Sequence, residues 1–352
     1  MKLFTPFRVR EIELKNRIVV SPMCEYSARD GHPQPWHMVH LGSRAVGGAG
    51  LVMTEASAVE ARGRISAEDA GIYDDGHIAS WRTITEFVKG QGAVVGMQLA
   101  HAGRKASTAP PWTGGKPVPI TVGGWEPVAP SALPFDAGYN VPRALELGEI
   151  RGVVAAFKEA AERALAAGFQ VIEIHAAHGY LIHEFLSPLS NSREDEYGGS
   201  FDNRTRFALE VAKAVRDVWP ANLPLFCRVS ATDWVEGGWD LKQTIELSKR
   251  LKPLGVDLID ASSGGGVPYA KIPVGPGYQV AFAEAIRKQA GIATGAVGMI
   301  TDPAQADTIL ATEQADLVFL ARELLRDPYW PRRAAKAPDV RIAGPVQYGR
   351  AW

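Results

Sequence analysis

Short apolar runs alternate with longer amphipathic stretches over nearly the whole chain. The runs are Arg17–Val20, Gly50–Thr54, Val94–Leu99, Val171–His175, Leu225–Val229, Asp257–Ala261, Ala293–Ala296 and Asp316–Leu320, eight in all. Each is short, apolar on both faces and often opened by Gly or Asp, as a strand buried in a parallel sheet reads. Between them the period lengthens to that of a helix. In Glu149–Ala167 the residues Ile150, Val153, Val154, Phe157, Ala161 and Ala164 share one stripe, and Gly168 stands where a helix C-terminus favours a left-handed residue. Phe207, Val211, Ala214, Val215 and Val218 form a second stripe in Asp202–Val218. Strand then helix, repeated eight times, predicts an α/β chain folded as one (β/α)8 TIM barrel over residues 1–352. A doubly wound open sheet competes with it. That fold carries a glycine-rich dinucleotide loop after its first strand, and Ser21-Pro22-Met23-Cys24 is no such loop.

Two segments break the rhythm. Lys105–Arg143 is rich in Pro, Gly and Trp and has no sustained period, so it reads as a long rim or lid excursion after the third strand. The tail from Asp327 to Trp352 is basic and punctuated by Pro, and its aromatic residues Tyr348 and Trp352 suit docking on the barrel or on a second copy.

Composition narrows the partners. Lys and Arg number 38 against 39 Asp and Glu, a net charge of −1, which argues against nucleic acid and anionic membranes. No apolar run approaches the ~20 residues that cross a bilayer. The first 17 residues carry charges too often for a signal peptide. Cys24 and Cys227 lie far apart and outside any CxxC pattern, so neither a disulfide framework nor a structural zinc site is expected, and a reducing cytoplasm suits the chain.

A barrel of this kind holds its chemistry where the strands end. Those ends supply Ser21 to Tyr26, Glu55-Ala56, Gln98 to His101, His175 to Tyr180, Arg228-Val229-Ser230, Ser262 to Gly265, Gly295 to Gly298, and Ala321-Arg322. Backbone N–H groups in the last two loops form the usual phosphate cradle, with Gly295 to Gly298 and Arg322 fitting that role. Gln98 offers both a donor and an acceptor, which matches the edge of a pyrimidine-like ring. Arg228 is placed to stabilise negative charge, as on a reduced flavin, though an arginine alone is as readily a structural ion-pair member. His175 and His178 admit three readings: packed core histidines, metal ligands completed by His101 or Glu55, or convergent N–H donors to an oxygen that becomes negative. Schiff-base aldolase chemistry needs a lysine at a strand end, and Lys105 lies several residues past its strand.

At this point longer motifs count. Ser21-Pro22-Met23-Cys24, Gln98 through Lys105, His175-Ala176-Ala177-His178-Gly179-Tyr180, Ser190-Asn191-Ser192-Arg193 and Tyr197-Gly198-Gly199-Ser200 together resemble the Old Yellow Enzyme family. The similarity covers almost the whole chain. It is strongest toward the thermophilic-like branch of NADPH dehydrogenases and ene-reductases, whose C-terminus Pro345 to Arg350 also resembles. The resemblance implies FMN as cofactor, NADPH or NADH as reductant, and ping-pong reduction of the C=C bond of α,β-unsaturated carbonyl compounds. By the same resemblance Ser21, Pro22, Met23, Cys24, Ala56, Gln98, Arg228, Ala321 and Arg322 match FMN-binding positions. Tyr26, His175 and His178 match substrate contacts, Cys24 a cysteine that tunes the flavin, and Tyr180 the proton donor. Arg350 matches an arginine that enters a partner's active site, which implies a homodimer or homotetramer. Three departures stand out. Ala321 replaces a frequent glycine, and its methyl would strain the backbone at positive φ. Glu25 stands where an uncharged residue is common and is expected to point outward. Arg350 lacks the usual following glycine.

Overall fold

The computed structural model describes residues 1–336 and 340–351, so Trp352 lies outside the described residues. Eight parallel strands close into a barrel. In chain order they are β1 (Ile18–Val20), β2 (Leu51–Ala58), β3 (Val94–Ala100), β4 (Val171–Ala176), β5 (Leu225–Ser230), β6 (Leu258–Ser262), β7 (Ala293–Val297) and β8 (Leu317–Leu320). Closure comes from β8 against β1, with Val318, Phe319 and Leu320 opposite Ile18, Val19 and Val20. The open-sheet alternative is thereby set aside. Helices follow the strands on the outside, among them α1 (Pro35–Val46), α2 (Gly76–Gly90), α3 (Leu147–Ala166), α4 (Leu181–Leu186) and α5 (Phe201–Val218). In α3 the residues Ile150, Val153, Phe157, Ala160, Ala161 and Ala164 are buried. Gly168 after it takes φ +87°, the left-handed value that a side chain resists. No helix among the described residues is long and apolar enough to cross a membrane.

Strand periodicity divides the barrel into an inner and an outer core. Val20, Val52, Val95, Ile172, Cys227, Ile259 and Val318 face out and pack under the helices. Val19, Leu51, Met53, Val94, Val171, Phe226, Leu258 and Leu317 face in and fill the lower half. An antiparallel hairpin, Phe7–Val9 with Ile12–Leu14, joins this inner cluster through Val9 and Leu14 and seals the bottom of the barrel. Such three-residue strands are too short to show a period, and the sequence pattern did not foretell them.

The strands are not apolar on both faces throughout. Above the apolar layer, Gln98, Glu173, Arg228 and Asp260 are turned inward and buried. The excursion is largely irregular, with turns at Pro111–Thr113 and Ile120–Val122 and one short parallel pairing of Val128–Ala129 with Arg143–Ala144. It is stapled to the barrel by the Ser190–Arg193 motif. The Arg193 guanidinium donates to Pro130 O (2.9 Å) and Leu145 O (2.6 Å), and Asn191 Nδ2 to Phe185 O and Tyr197 O (2.8 Å each).

Candidate active site

A cavity of about 360 Å³ opens at the C-terminal ends of the strands, a size usual for a small-molecule site. Ser21, Pro22, Arg228, Gly298, Ala321 and Arg322 line it together with His178. Six of the residues expected at a cofactor thus share one wall with one of the histidines. Gly298 has φ +122°, and a Cβ there would come within 2.8 Å of Gln279 Nε2 and 2.9 Å of Tyr278. The loop therefore needs its glycine. Ala321 has φ −102°, so its methyl carries no left-handed strain. Gly295 must be moved out of the cradle. It sits inside β7, where a Cβ would meet the Phe319 ring at 2.2 Å, so its lack of a side chain makes room in the barrel interior.

Under the cavity the polar layer is tightly bonded. Gln98 Nε2 donates to Glu173 Oε1 at 2.8 Å, which leaves the amide oxygen as the acceptor that Gln98 presents. Arg228 Nη2 donates to Ser21 Oγ at 2.7 Å and Nε to Asp260 Oδ2 at 2.5 Å. Burial works against the charge of Arg228, but Asp260 and Glu173 outweigh it and hold the guanidinium above its ordinary value. Glu173 and Asp260 were not singled out in the sequence. Their signal is a polar residue two places after the inward apolar one in three successive strands: Val171 then Glu173, Phe226 then Arg228, Leu258 then Asp260.

His178 lines the cavity, and His175 stands next to it outside the lining. Their rings stand 5.2 Å apart at 84°, and the Tyr180 ring lies 5.1 Å from that of His175. Burial is the main reason that both imidazoles are pushed well below their ordinary range, and the positive charges of Arg228 and Lys105 add to it. Each is therefore neutral at pH 7 and carries one N–H. His175 Nδ1 is buried and has no partner among the described residues. His178 Nε2 lies 2.7 Å from Ser262 Oγ.

His178 takes φ +61°, and contacts from several sides hold it there. Its N–H donates to Ser230 Oγ at 2.9 Å, and its carbonyl accepts from Lys105 Nζ at 2.9 Å. Gly179 N–H donates to His183 Nδ1 at 2.8 Å, and His183 Nε2 lies 3.0 Å from Asp233. Lys105, set aside above as too far past its strand, is thus at the mouth. Its ammonium also donates to Gly265 O at 3.2 Å and lies 5.1 Å from the Tyr180 ring. Burial pulls its pKa down to about 8.

Cys24, Tyr26 and Tyr180 pack together on Ile65, Ala102 and Ala106. Ala56, just past a register shift in β2, borders the same corner beside Tyr180 and Asp69. Burial raises the Cys24 thiol and the Tyr26 and Tyr180 phenols above their usual values, so all three keep their protons at neutral pH. Met23 packs against the outer core instead.

The candidate metal triad does not converge. His101 turns toward Glu60 (3.3 Å), Glu55 faces His37 of α1 (2.8 Å), and no group of three ligand-type side chains gathers among the described residues. Glu25 does not point outward as expected. Its carboxylate accepts from Trp36 Nε1 at 2.8 Å and lies 3.4 Å from His40, tying the loop after β1 to α1. Arg350 does not line the cavity. The arm before it is held near the loop that leads into β2, through Arg332 donating to Val46 O (2.8 Å) and Ala343 O (3.1 Å).

Comparison with known proteins gives a consistent picture. Residues 2–339 match the model of the "NADH:flavin oxidoreductase / NADH oxidase family". An NADPH dehydrogenase of Bacillus licheniformis is 55% identical over 100% of this chain and 99% of its own. The Old Yellow Enzyme homologue of Zymomonas mobilis superposes with a TM-score of 0.80 at 28% identity, covering 99% of this chain and 98% of that one. A 2-naphthoyl-CoA reductase, solved with 2-naphthoyl-CoA, gives a TM-score of 0.86 at 26% identity over 94% of this chain. The chain spans about half, 52%, of that longer reductase.

Proposed function

The chain belongs to the NADH:flavin oxidoreductase / NADH oxidase family, within the Old Yellow Enzyme group, and from that premise we propose that it is an ene-reductase acting on α,β-unsaturated carbonyl compounds or similarly activated alkenes. It is an oxidoreductase that uses FMN and NAD(P)H. The residues fit such a cofactor: Arg228, the left-handed Gly298 and the exposed Arg322 guanidinium line the cavity, and Gln98 presents its amide oxygen in the polar layer below it. Ser21, Pro22, Met23, Cys24, Ala56, Gln98 and Arg228 would hold the ring, and Gly298, Ala321 and Arg322 the phosphate. When bound, FMN supplies reversible hydride chemistry.

The protein's own residues do the rest. Nicotinamide and alkene take the same mouth in turn, in ping-pong order. His175 and His178 donate N–H bonds to the carbonyl oxygen and stabilise the charge that gathers there as Cβ accepts hydride. Tyr180, protonated because it is buried, gives its proton to Cα. Tyr26 would contact the substrate, and Cys24, a neutral thiol, would border the cofactor ring. Arg350 completes a neighbouring copy's mouth in a homodimer or homotetramer, which the exposure of its arm supports: Val346 is 89% exposed and Tyr348 46%. Two free cysteines suit a cytoplasmic enzyme.

The observation that carries this reading is a pair of neutral imidazoles 5.2 Å apart, one with a buried nitrogen that has no partner, beside a ligand-sized cavity. It is tested by the visible spectrum of pure protein under anaerobic conditions. A yellow sample bleached by NADPH and restored by cyclohexenone supports it. A yellow sample that NADPH leaves unchanged, or a colourless protein whose activity is lost to a chelator, rejects it.

A further inference from the structure

Three neighbouring strands bring three charges to one depth of the barrel. Glu173 on β4 and Asp260 on β6 flank Arg228 on β5, and neither acid is exposed at all. Arg228 grips Asp260 through Nε and Nη2, while its Nε stays 3.7 Å from Glu173 Oε1. Glu173 Oε1 accepts from Gln98. One oxygen of each acid is left over. Glu173 Oε2 and Asp260 Oδ1 are buried and have no donor among the described residues, although the two carboxyls lie in hydrogen-bond contact. Ionised carboxylates are acceptors only, so two of them in contact repel. A single arginine between them neutralises one, and a shared site of this kind keeps a proton.

We propose that Glu173 and Asp260 hold one proton between them, with Glu173 Oε2–H donating to Asp260 Oδ1, and that this acid–carboxylate pair positions Gln98 and Arg228 over an electrically neutral floor. The proton belongs to Glu173 because Asp260 takes the direct bonds of the guanidinium, which favour its ionised form. Cationic Arg228 and anionic Asp260 then sum to zero. Losing the proton would leave one net negative charge beneath a ring that itself becomes more negative on reduction. That last consequence rests on the flavin reading; the proton does not. The groups facing the pair are Gln98 from β3 and Arg228 from β5, with the Phe319 ring from β8 5.8 Å from the guanidinium. The Cys227 thiol feels both acids, and burial together with their charge keeps it protonated. Burial first, and then Asp260, push Glu173 up to about 8.

Infrared spectroscopy of the holoenzyme reads the proton directly, because a buried carboxylic acid has a C=O band that a carboxylate lacks. At pH 6 we expect such a band, shifted in D2O and lost on titration through about pH 8. Glu173→Gln and Asp260→Asn should each abolish it, since either variant leaves one acid beside Arg228. Glu184 and Asp69, also buried and pushed up to about 8 and about 7, contribute separate bands that both variants retain. Absence of the first band from the wild type at pH 6, or its survival in either variant, overturns the shared proton. The wild-type titration needs no variant to fold. The flavin midpoint potential gives the second readout. Each single variant leaves the floor neutral and should match the wild type, whereas the double variant leaves Arg228 uncompensated and should raise the potential. Singles that shift as far as the double, or a double that does not shift, overturn the neutral floor. A protein without flavin would reject the proposed function while leaving the infrared result to stand or fall alone.

Discussion

The lower half of the barrel interior holds Val94, Val171, Phe226, Leu258 and Leu317 over the hairpin residues Val9 and Leu14, whereas the upper half holds Gln98, Glu173, Arg228 and Asp260. One step of two residues separates the regimes in β4, β5 and β6, and two such steps in β3, where Gly96 lies between Val94 and Gln98. Each regime has its own energetics. The lower residues remove apolar surface from water and stabilise the fold. The upper ones take charges out of water, and a buried ion cluster is often no more stabilising than the apolar residues that could replace it. A barrel built for stability alone would have continued the apolar filling upward. That it does not marks the upper half as the part shaped by chemistry, and His175, Ser230 and Ser262, two residues further along, reach the mouth itself.

This contrast can be broken from either side. The largest effect belongs to the lower half: Phe226→Ala should lower the free energy of unfolding by about 3–5 kcal/mol, read by urea denaturation, while enone turnover per folded molecule stays within about twofold. A large loss of turnover there would erase the distinction. In the upper half, the proton on Glu173 ties stability to pH. Its folded value of about 8 lies above the ordinary 4.5, so the folded state holds the proton more tightly. The contribution is fully present below pH 4.5 and is lost as pH rises through about 8. Relative to Glu173→Gln, the wild type should therefore lose on the order of a few kcal/mol between pH 5 and 8 in parallel urea titrations. Gly298→Ala comes next. The strain at φ +122° and the collision with Gln279 and Tyr278 should weaken FMN binding tenfold or more, about 1–3 kcal/mol, read by fluorescence titration of apoenzyme. Arg350→Ala should have the smallest effect: a rise of about threefold in KM for the enone at unchanged kcat, as expected of an exposed charge worth under about 1 kcal/mol.

Much of the architecture was legible before the coordinates. The eight apolar runs fall within a few residues of the eight strands, because burial on both sides of a parallel barrel leaves a signal that local sequence carries. The misses have physical reasons. β2 runs on to Ala58 past Thr54 and Glu55, where a register shift lets polar residues continue a strand. Glu173 and Asp260 were hidden inside runs taken as apolar, and only aligning successive strands at period two reveals them. Lys105 and Asp233 support the His178 turn through contacts 73 and 50 positions apart, to the His178 carbonyl and to His183, which no local pattern encodes. The outward expectation for Glu25 failed for the same reason, since Trp36 and His40 approach it from the next helix. Gly295 shows the reverse error. A glycine near a strand end looks like a phosphate turn, yet this one makes room for an aromatic ring.

The central claim is that neutral His175 and His178 activate a carbonyl oxygen. It is tested most directly by single-turnover reoxidation of the NADPH-reduced enzyme with cyclohexenone, comparing the wild type with His178→Ala. Losing one oxyanion donor should slow reoxidation about a hundredfold, roughly 3 kcal/mol, while reduction by NADPH changes far less. Reoxidation by the enone at the wild-type rate would contradict the account.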